Sequence, residues 1–212
     1  MFQNEKCLVD TFLKNHPTKI NLIEECDFRW GNIDVVEYVV NDEIFLNHDQ
    51  AKVLRNSRNL NIFSSLYRKR GLRLESISRK SGIEVSEVKR ILNRLIEMNI
   101  VVVAELTYIV NPNINFPDII VYAYEMKLND IRKAINQAAI NQMYSDYSYI
   151  VMPKEKEILC QKYFEPLIRN GIGLILVDEK ENRLIIRARK SRNITMPLLK
   201  SKFKIAESRL TF

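Results

Sequence analysis

Two apolar runs give the clearest signal along the chain, Ile119 to Tyr124 and Tyr147 to Met152. Each is of strand length, and the polar stretch between them reads as a turn followed by a helix. Upstream, residues 3–15 have a helical period: Leu8, Val9 and Phe12 share one face, Glu5 lies on that same face, and Pro17 closes the segment. Residues 20–30 alternate loosely through Ile20, Leu22, Cys26, Phe28 and Trp30 and predict a strand. A turn at Trp30-Gly31-Asn32 then leads into Ile33 to Val40, a strand by its β-branched content. Asn41-Asp42 predicts a hairpin turn into Glu43 to Leu46.

The pattern changes over 50–112. A helical period runs across 58–70 (Leu60, Phe63, Leu66, Tyr67) and stops at Gly71. Leu74 to Lys80 forms a short helix, and Ser81 to Glu84 a turn. Ser86, read as an N-cap, opens a third helix with Val88, Ile91, Leu92, Leu95 and Ile96 inward, closed by Asn99. Two short apolar strands, Ile100 to Ala104 and Leu106 to Val110, flank Glu105. This order resembles the winged helix-turn-helix module over about 55 residues.

Beyond Met152, Lys156 to Ile168 reads as a helix. Gly171-Ile172-Gly173 precedes a buried strand at Leu174 to Val177, Asp178 to Asn182 is a turn, and Arg183 to Arg189 an edge strand. The expected fold class is α/β. A mixed central sheet flanked by helices is drawn from 1–48 and 113–190, a winged-helix domain occupies 50–112, and 191–212 is a basic C-terminal tail with a short helix from Pro197.

A net charge of +7 and a pI near 9.3 fit a polyanionic partner, or simply a basic protein. Cys7, Cys26 and Cys160 are far apart, and with two histidines they give no basis for a zinc site. Such cysteine usage suits a reducing cytosol. No apolar run approaches 18 residues and the N-terminus does not resemble a signal peptide, so a cytoplasmic protein without a membrane partner is expected.

Charge inside the apolar strands is where chemistry is to be sought. Glu125 and Lys127 end the run from Ile119 and project to one side, with Met126 on the other. A carboxylate and an ammonium there are costly unless they are paired or have a task. A second acid-x-lysine triplet, Asp178-Glu179-Lys180, falls in a polar turn and reads as solvated. Phosphodiester cleavage needs a divalent cation on hard oxygen ligands, and a lysine to orient or deprotonate water or to neutralise the transition state. Asp118 is about 23 Å from Glu125 along an extended strand, too far to share a cation. Asp34, early in the strand Ile33 to Val40, is the better second carboxylate, or else a solvated strand-end residue. Glu37 falls on the opposite face and is expected in solvent.

Asp34 after Gly31-Asn32-Ile33, followed by Glu125-Met126-Lys127, resembles the PD-(D/E)xK nuclease superfamily, whose fold is restriction-endonuclease-like. The helix Ala134 to Ala138, then Tyr144, Asp146 and Tyr147 to Pro153, is similar to the segment after the lysine in such proteins. Gly171 to Ile175 resembles their last core strand. The resemblance implies Mg²⁺ (or Mn²⁺) on Asp34 and Glu125, water activated by Lys127, Gln137 at the site or substrate, and Glu5 as the acidic residue of the first helix. One departure is that about 90 residues separate Asp34 from Glu125, which reads as a winged helix inserted into the nuclease-like domain.

On the third helix of the 50–112 segment, Lys89, Arg90, Asn93 and Arg94 share the polar side, with Arg68, Lys69, Arg70, Arg73, Arg79 and Lys80 around it. This suits a groove-reading helix with phosphate anchors, of which Arg70 and Lys80 are the nearest candidates, or else a solvated basic face. The sequence thus leads to a metal-dependent DNA endonuclease or nuclease-fold DNA-processing protein. A non-enzymatic winged-helix regulator and an RNA-directed nuclease stay open, and a homodimer is compatible with symmetric duplex sites.

Overall fold

A computed structural model describes residues 2–17, 21–28, 32–41, 46–67, 71–191 and 195–210. Ile20, Trp30, the expected strand Glu43 to Phe45 and the basic residues Arg68, Lys69 and Arg70 lie outside the described residues. The chain divides into two compact units, one of 1–39 and 119–198 and one of 40–118 and 199–212.

The first unit is α/β. It opens with helix α1 (Glu5–Asn15), whose Asn4 side chain accepts from Cys7 N–H and so satisfies one of the donors a helix start leaves open. Strands β1 (Leu22–Cys26) and β2 (Ile33–Val40) follow as an antiparallel pair. After the second unit's residues come β5 (Ile119–Met126), α6 (Ile131–Asn141), β6 (Tyr147–Pro153), the short helices α7 (Glu157–Gln161) and α8 (Phe164–Asn170), β7 (Gly173–Val177) and β8 (Asn182–Ile186). Among the described residues six strands form one sheet in the order β1-β2-β5-β6-β7-β8. The three central strands β5, β6 and β7 are parallel, and β8 returns antiparallel. Asp34, early in β2, meets Met126 at the end of β5, while Asn41 N–H donates to Asp118 O at the opposite ends, so β2 and β5 are antiparallel. The sheet is mixed and flanked by helices on both faces.

Strand periodicity splits the core in two. Val35, Tyr124, Met126, Tyr149, Val151 and Val177 meet Leu8, Val9 and Phe12 of α1. Ile150, Met152, Leu174, Leu176 and Ile186 meet Ile131, Ala134 and Ala138 of α6, with Cys160 and Leu167. A fully buried side chain such as Leu8 or Phe12 contributes about 1.5–3 kcal/mol. Gly173 begins β7 under the Tyr149 ring, where a Cβ would lie 2.2 Å from a ring carbon, so no larger residue fits without movement.

Three expectations change here. The helix expected over Lys156 to Ile168 is two helices, because the first ends at Lys162 and the chain restarts at Phe164 to bury Leu167. The third helix expected over 50–112 is α5 (Val85–Glu97), which has Glu84 as its N-cap residue, two positions before the expected Ser86 cap. Glu37 does point away from Asp34's face, but its side chain is only 15% exposed; it accepts from Tyr124 Oη at 2.7 Å and lies 3.6 Å from His16 Nε2.

The second unit contains α2 (His48–Leu54), α3 (Ser57–Leu66), α4 (Leu74–Ser81), α5 (Val85–Glu97) and the antiparallel pair β3 (Val101–Ala104) and β4 (Thr107–Val110). α2 carries a reciprocal cap between Asn47 and Gln50. α4 ends at Gly82 in the left-handed region (φ 67°), which lets the chain turn sharply into α5. Leu60, Phe63, Ile77, Val88, Leu92 and Leu95 are fully buried. The helix α9 (Met196–Arg209) belongs to this unit from Leu199 onward. Its Phe203 packs edge-on against Phe63, and Glu207 pairs with Arg55, so much of the basic stretch 191–212 is core rather than tail.

Candidate active site

Strand alternation puts Asp34 and Glu125 on the same face of the sheet. Their neighbours Val35, Tyr124 and Met126 pack on α1, so Asp34 and Glu125 face the α6 side. Glu125 stands in register with Ile150, which packs on α6. The chain separation between Asp34 and the Glu-x-Lys strand, 92 positions to Met126, is closed by one hydrogen bond of 2.7 Å from Met126 N–H to Asp34 Oδ2.

Lys127 lies at the focus. Its backbone N–H continues the ladder by donating to Val151 O at 3.1 Å, which fixes where the side chain emerges. Its Nζ donates to Met126 O at 2.7 Å and lies 3.4 Å from Glu125 Oε1, 3.4 Å from Glu5 Oε2 and 3.9 Å from Asp34 Oδ2. Glu5 is the first residue of α1, and its side chain is half exposed. Glu125 is 1% exposed and Lys127 7%. Three carboxylates thus surround one ammonium.

The electrostatics follow from that imbalance. Burial first, and then the charge of Glu125, push Asp34 from an ordinary 3.8 up to about 6, against the opposing pull of the Met126 N–H and Lys127. Glu25 adds to the push. It lies on β1 between the pairs Glu24–Val35 and Cys26–Ile33, with a left-handed φ of 47° that non-glycine residues seldom adopt. For Lys127, burial works against the charged form, but Asp34, Glu125 and Glu5 outweigh it and hold the ammonium above its usual value.

Gln137 is half-buried on α6, and its Oε1 is enclosed without a hydrogen-bond partner. One turn later comes Asn141, which no spacing or composition singles out; it is fully buried, and its Nδ2 donates to Glu125 Oε2 at 3.1 Å. An asparagine four positions after a glutamine on a helix is a weak signal, since that spacing only says that both lie on one face.

In the second unit Lys80, Lys89, Arg90, Asn93 and Arg94 are all exposed. Arg90 is bound to Glu87 through two hydrogen bonds of 2.7 and 2.8 Å, and Arg58 shares the same carboxylate at 3.3 Å. Arg94 joins them around a pocket of about 250 Å³ with Asn56, Asn59 and Ile91. Of the basic residues expected to bind DNA, the structure brings Arg90 and Arg94 to one pocket, and Arg70 is not described.

Among the described residues, no group of three or more histidine, cysteine, aspartate or glutamate side chains stands ready to hold a metal ion. No helix among them is long and apolar enough to cross a membrane. Comparison with protein-family models, with curated proteins and with solved structures finds no match for this chain.

Proposed function

We propose that this protein is a metal-dependent DNA endonuclease, or a DNA-processing protein of the PD-(D/E)xK type, with a restriction-endonuclease-like first unit and a winged-helix second unit. The observation that carries the reading is the convergence of Asp34 and Glu125 on Lys127 from adjacent strands far apart in the chain. This adjacency is what a module inserted between the two strands requires, because an insertion leaves the ends of the interrupted sheet together.

The residues fit a hard divalent cation. Three carboxylates face one ammonium, and burial first, then the charge of Glu125, pushes Asp34 up to about 6. Asp34 and Glu125 would hold Mg²⁺ or Mn²⁺, with water completing the coordination, as Mg²⁺ commonly has few protein ligands. The cation would supply Lewis acidity at the phosphate and lower the pKa of bound water. Lys127, held above its usual value by its three carboxylate neighbours when the site is metal-free, would act as a cation, orienting the attacking water and offsetting charge that gathers on the phosphate. Glu5 holds Lys127 from the α1 side. Gln137, on the same helix as Asn141, would contact the site, where its enclosed Oε1 could accept from a water.

In the second unit, α5 would lie against duplex DNA through Lys89, Arg90, Asn93 and Arg94, with Lys80 on a flanking phosphate. Support comes from the sharp α4-Gly82-α5 turn, the following β3–β4 hairpin and the exposed cations. Arg70 belongs to this proposal from sequence alone. The net charge of +7 agrees with a nucleic-acid partner. The alternative is a winged-helix regulator with an inactive nuclease-like unit.

Incubating plasmid, single-stranded and branched DNA with Mg²⁺ or Mn²⁺ separates the two. Cleavage by the wild type, lost in both Asp34→Ala and Lys127→Ala, supports the enzyme. Binding without cleavage in either metal supports the regulator.

A further inference from the structure

The two oxygens of Glu125 have different neighbours. Oε2 accepts from Asn141 Nδ2 at 3.1 Å, whereas Oε1 lies 3.4 Å from Lys127 Nζ. Both residues of the first contact are within the core: Asn141 is 0% exposed and Glu125 1%. Asn141 is the last residue of α6, and its side chain reaches the carboxylate. The donating orientation of the amide is dictated by charge, because the reverse would set an amide oxygen against a carboxylate oxygen.

We infer that Asn141 is a positioning residue for the metal site: by occupying Oε2 it presents Glu125 to the cation through Oε1 alone, next to Asp34 and Lys127. This rests on the metal-dependent reading above and adds to it a residue that makes no contact with cation or substrate. Physically, a buried carboxylate with one oxygen fixed cannot rotate to chelate through both, so Asn141 sets the geometry at which the cation is held as well as its affinity. Partners that hold ligating carboxylates commonly change metal affinity by about 10–100-fold when removed. The same helix end supplies a control. Ser145 is equally buried and donates to the backbone carbonyl of Asn141 at 2.8 Å, so it supports the fold around Asn141 by a bond that is not to Glu125.

The test is Mn²⁺ binding to the full chain without DNA, read by electron paramagnetic resonance, for wild type, Asp34→Ala, Asn141→Leu and Ser145→Ala. Leucine keeps the branched outline of asparagine, with bulkier methyl ends, and removes the donor. Asn141→Ser is the second variant if leucine prevents folding, since its hydroxyl is too short to reach the carboxylate in the same way. The expected result is binding by wild type, loss in Asp34→Ala, weakening of about tenfold in Asn141→Leu or Asn141→Ser, and unchanged affinity in Ser145→Ala at comparable thermal stability. Unchanged Mn²⁺ affinity in the Asn141 variants, with Asp34→Ala still defective, overturns the inference and leaves the metal reading standing. Equal weakening in Ser145→Ala overturns it too, since general loosening of the helix end would then explain the effect. No binding by wild type overturns the metal reading and this inference with it.

Discussion

The chain carries two acid-x-lysine triplets, and they are opposite in physical character. Asp178-Glu179-Lys180 forms a tight turn after β7. Asp178 accepts from Lys154 Nζ at 2.6 Å and from the backbone N–H groups of Lys180 and Glu181, and these bonds hold it down at about 2. The Asp178 carboxylate there is answered close by, by one ammonium and two backbone N–H groups. Glu125-Met126-Lys127 ends a buried strand, where one ammonium must answer Glu125, Asp34 and Glu5, and Asp34 is pushed up to about 6. A turn that solvates itself has no use for a cation. A half-buried carboxylate cluster with surplus negative charge does, and residues kept at such a cost in stability are where function is to be sought.

The largest separation should appear in cleavage. Lys127→Ala should lower metal-dependent cleavage by about 10³-fold or more, while Lys180→Ala leaves it unchanged; equal effects in a plasmid-nicking assay would erase the distinction between the triplets.

Stability against pH gives opposite signs at the two places. Asp34 has a raised pKa in the folded state, so the native protein binds its proton more tightly than the unfolded chain does. Its contribution is therefore full below about 4 and is lost as pH rises through about 6. Asp34→Asn, which keeps an oxygen for the Met126 N–H, should raise stability near pH 7.5 by up to about 3 kcal/mol in metal-free buffer. Asp178 is depressed, so its contribution is present above about 4 and lost as pH falls towards 2. Asp178→Asn should destabilise at pH 7.5. Thermal melts of the two variants from pH 3 to 8 should diverge in sign, and melts that shift together would contradict the electrostatic contrast.

A smaller effect is expected from metal alone. Saturating Mg²⁺ should raise the melting temperature by an amount worth about 1–3 kcal/mol at pH 7.5, and by less at pH 5, where Asp34 is protonated. Asp34→Asn should remove the shift, and Asp178→Asn should retain it.

The smallest effect lies in the second unit. Arg94→Ala should weaken DNA binding by about 3–10-fold across unrelated sequences and reduce the salt dependence by about one unit of slope. Mn²⁺ binding should stay as in the wild type. A change confined to one DNA sequence would instead point to base reading by Arg94.

Much of the first unit was legible because buried strands write themselves plainly. Ile119 to Tyr124 and Tyr147 to Met152 are runs that only a covered sheet tolerates, and charge at the end of one of them, Glu125 and Lys127, was conspicuous for that reason. Asp34 could be chosen by the same argument. Other features depend on contacts that spacing does not encode. Asn141 looks like any helix amide until its Nδ2 is found on Glu125. Glu37 alternates to the expected face, but Tyr124 and His16 close over it, and no period reveals that. α2 has seven residues and owes its start to the Asn47–Gln50 cap, too little for a helical period to emerge. The helix expected from Pro197 is present as α9, but the basic composition of 191–212 disguised its burial, because Phe203, Ile205 and Ala206 are few among lysines and Phe203 packs into the aromatic cluster with Phe63 and Phe116.

Asp34 and Glu125 together, and not the Asp178 turn, are the proposed cation site. The most direct measurement is the anomalous scattering of crystals grown with Mn²⁺. A peak is expected within coordination distance, roughly 2.0–2.3 Å, of both Asp34 and Glu125, and none at Asp178. A peak at Asp178 with none between Asp34 and Glu125 at saturating Mn²⁺ would contradict it.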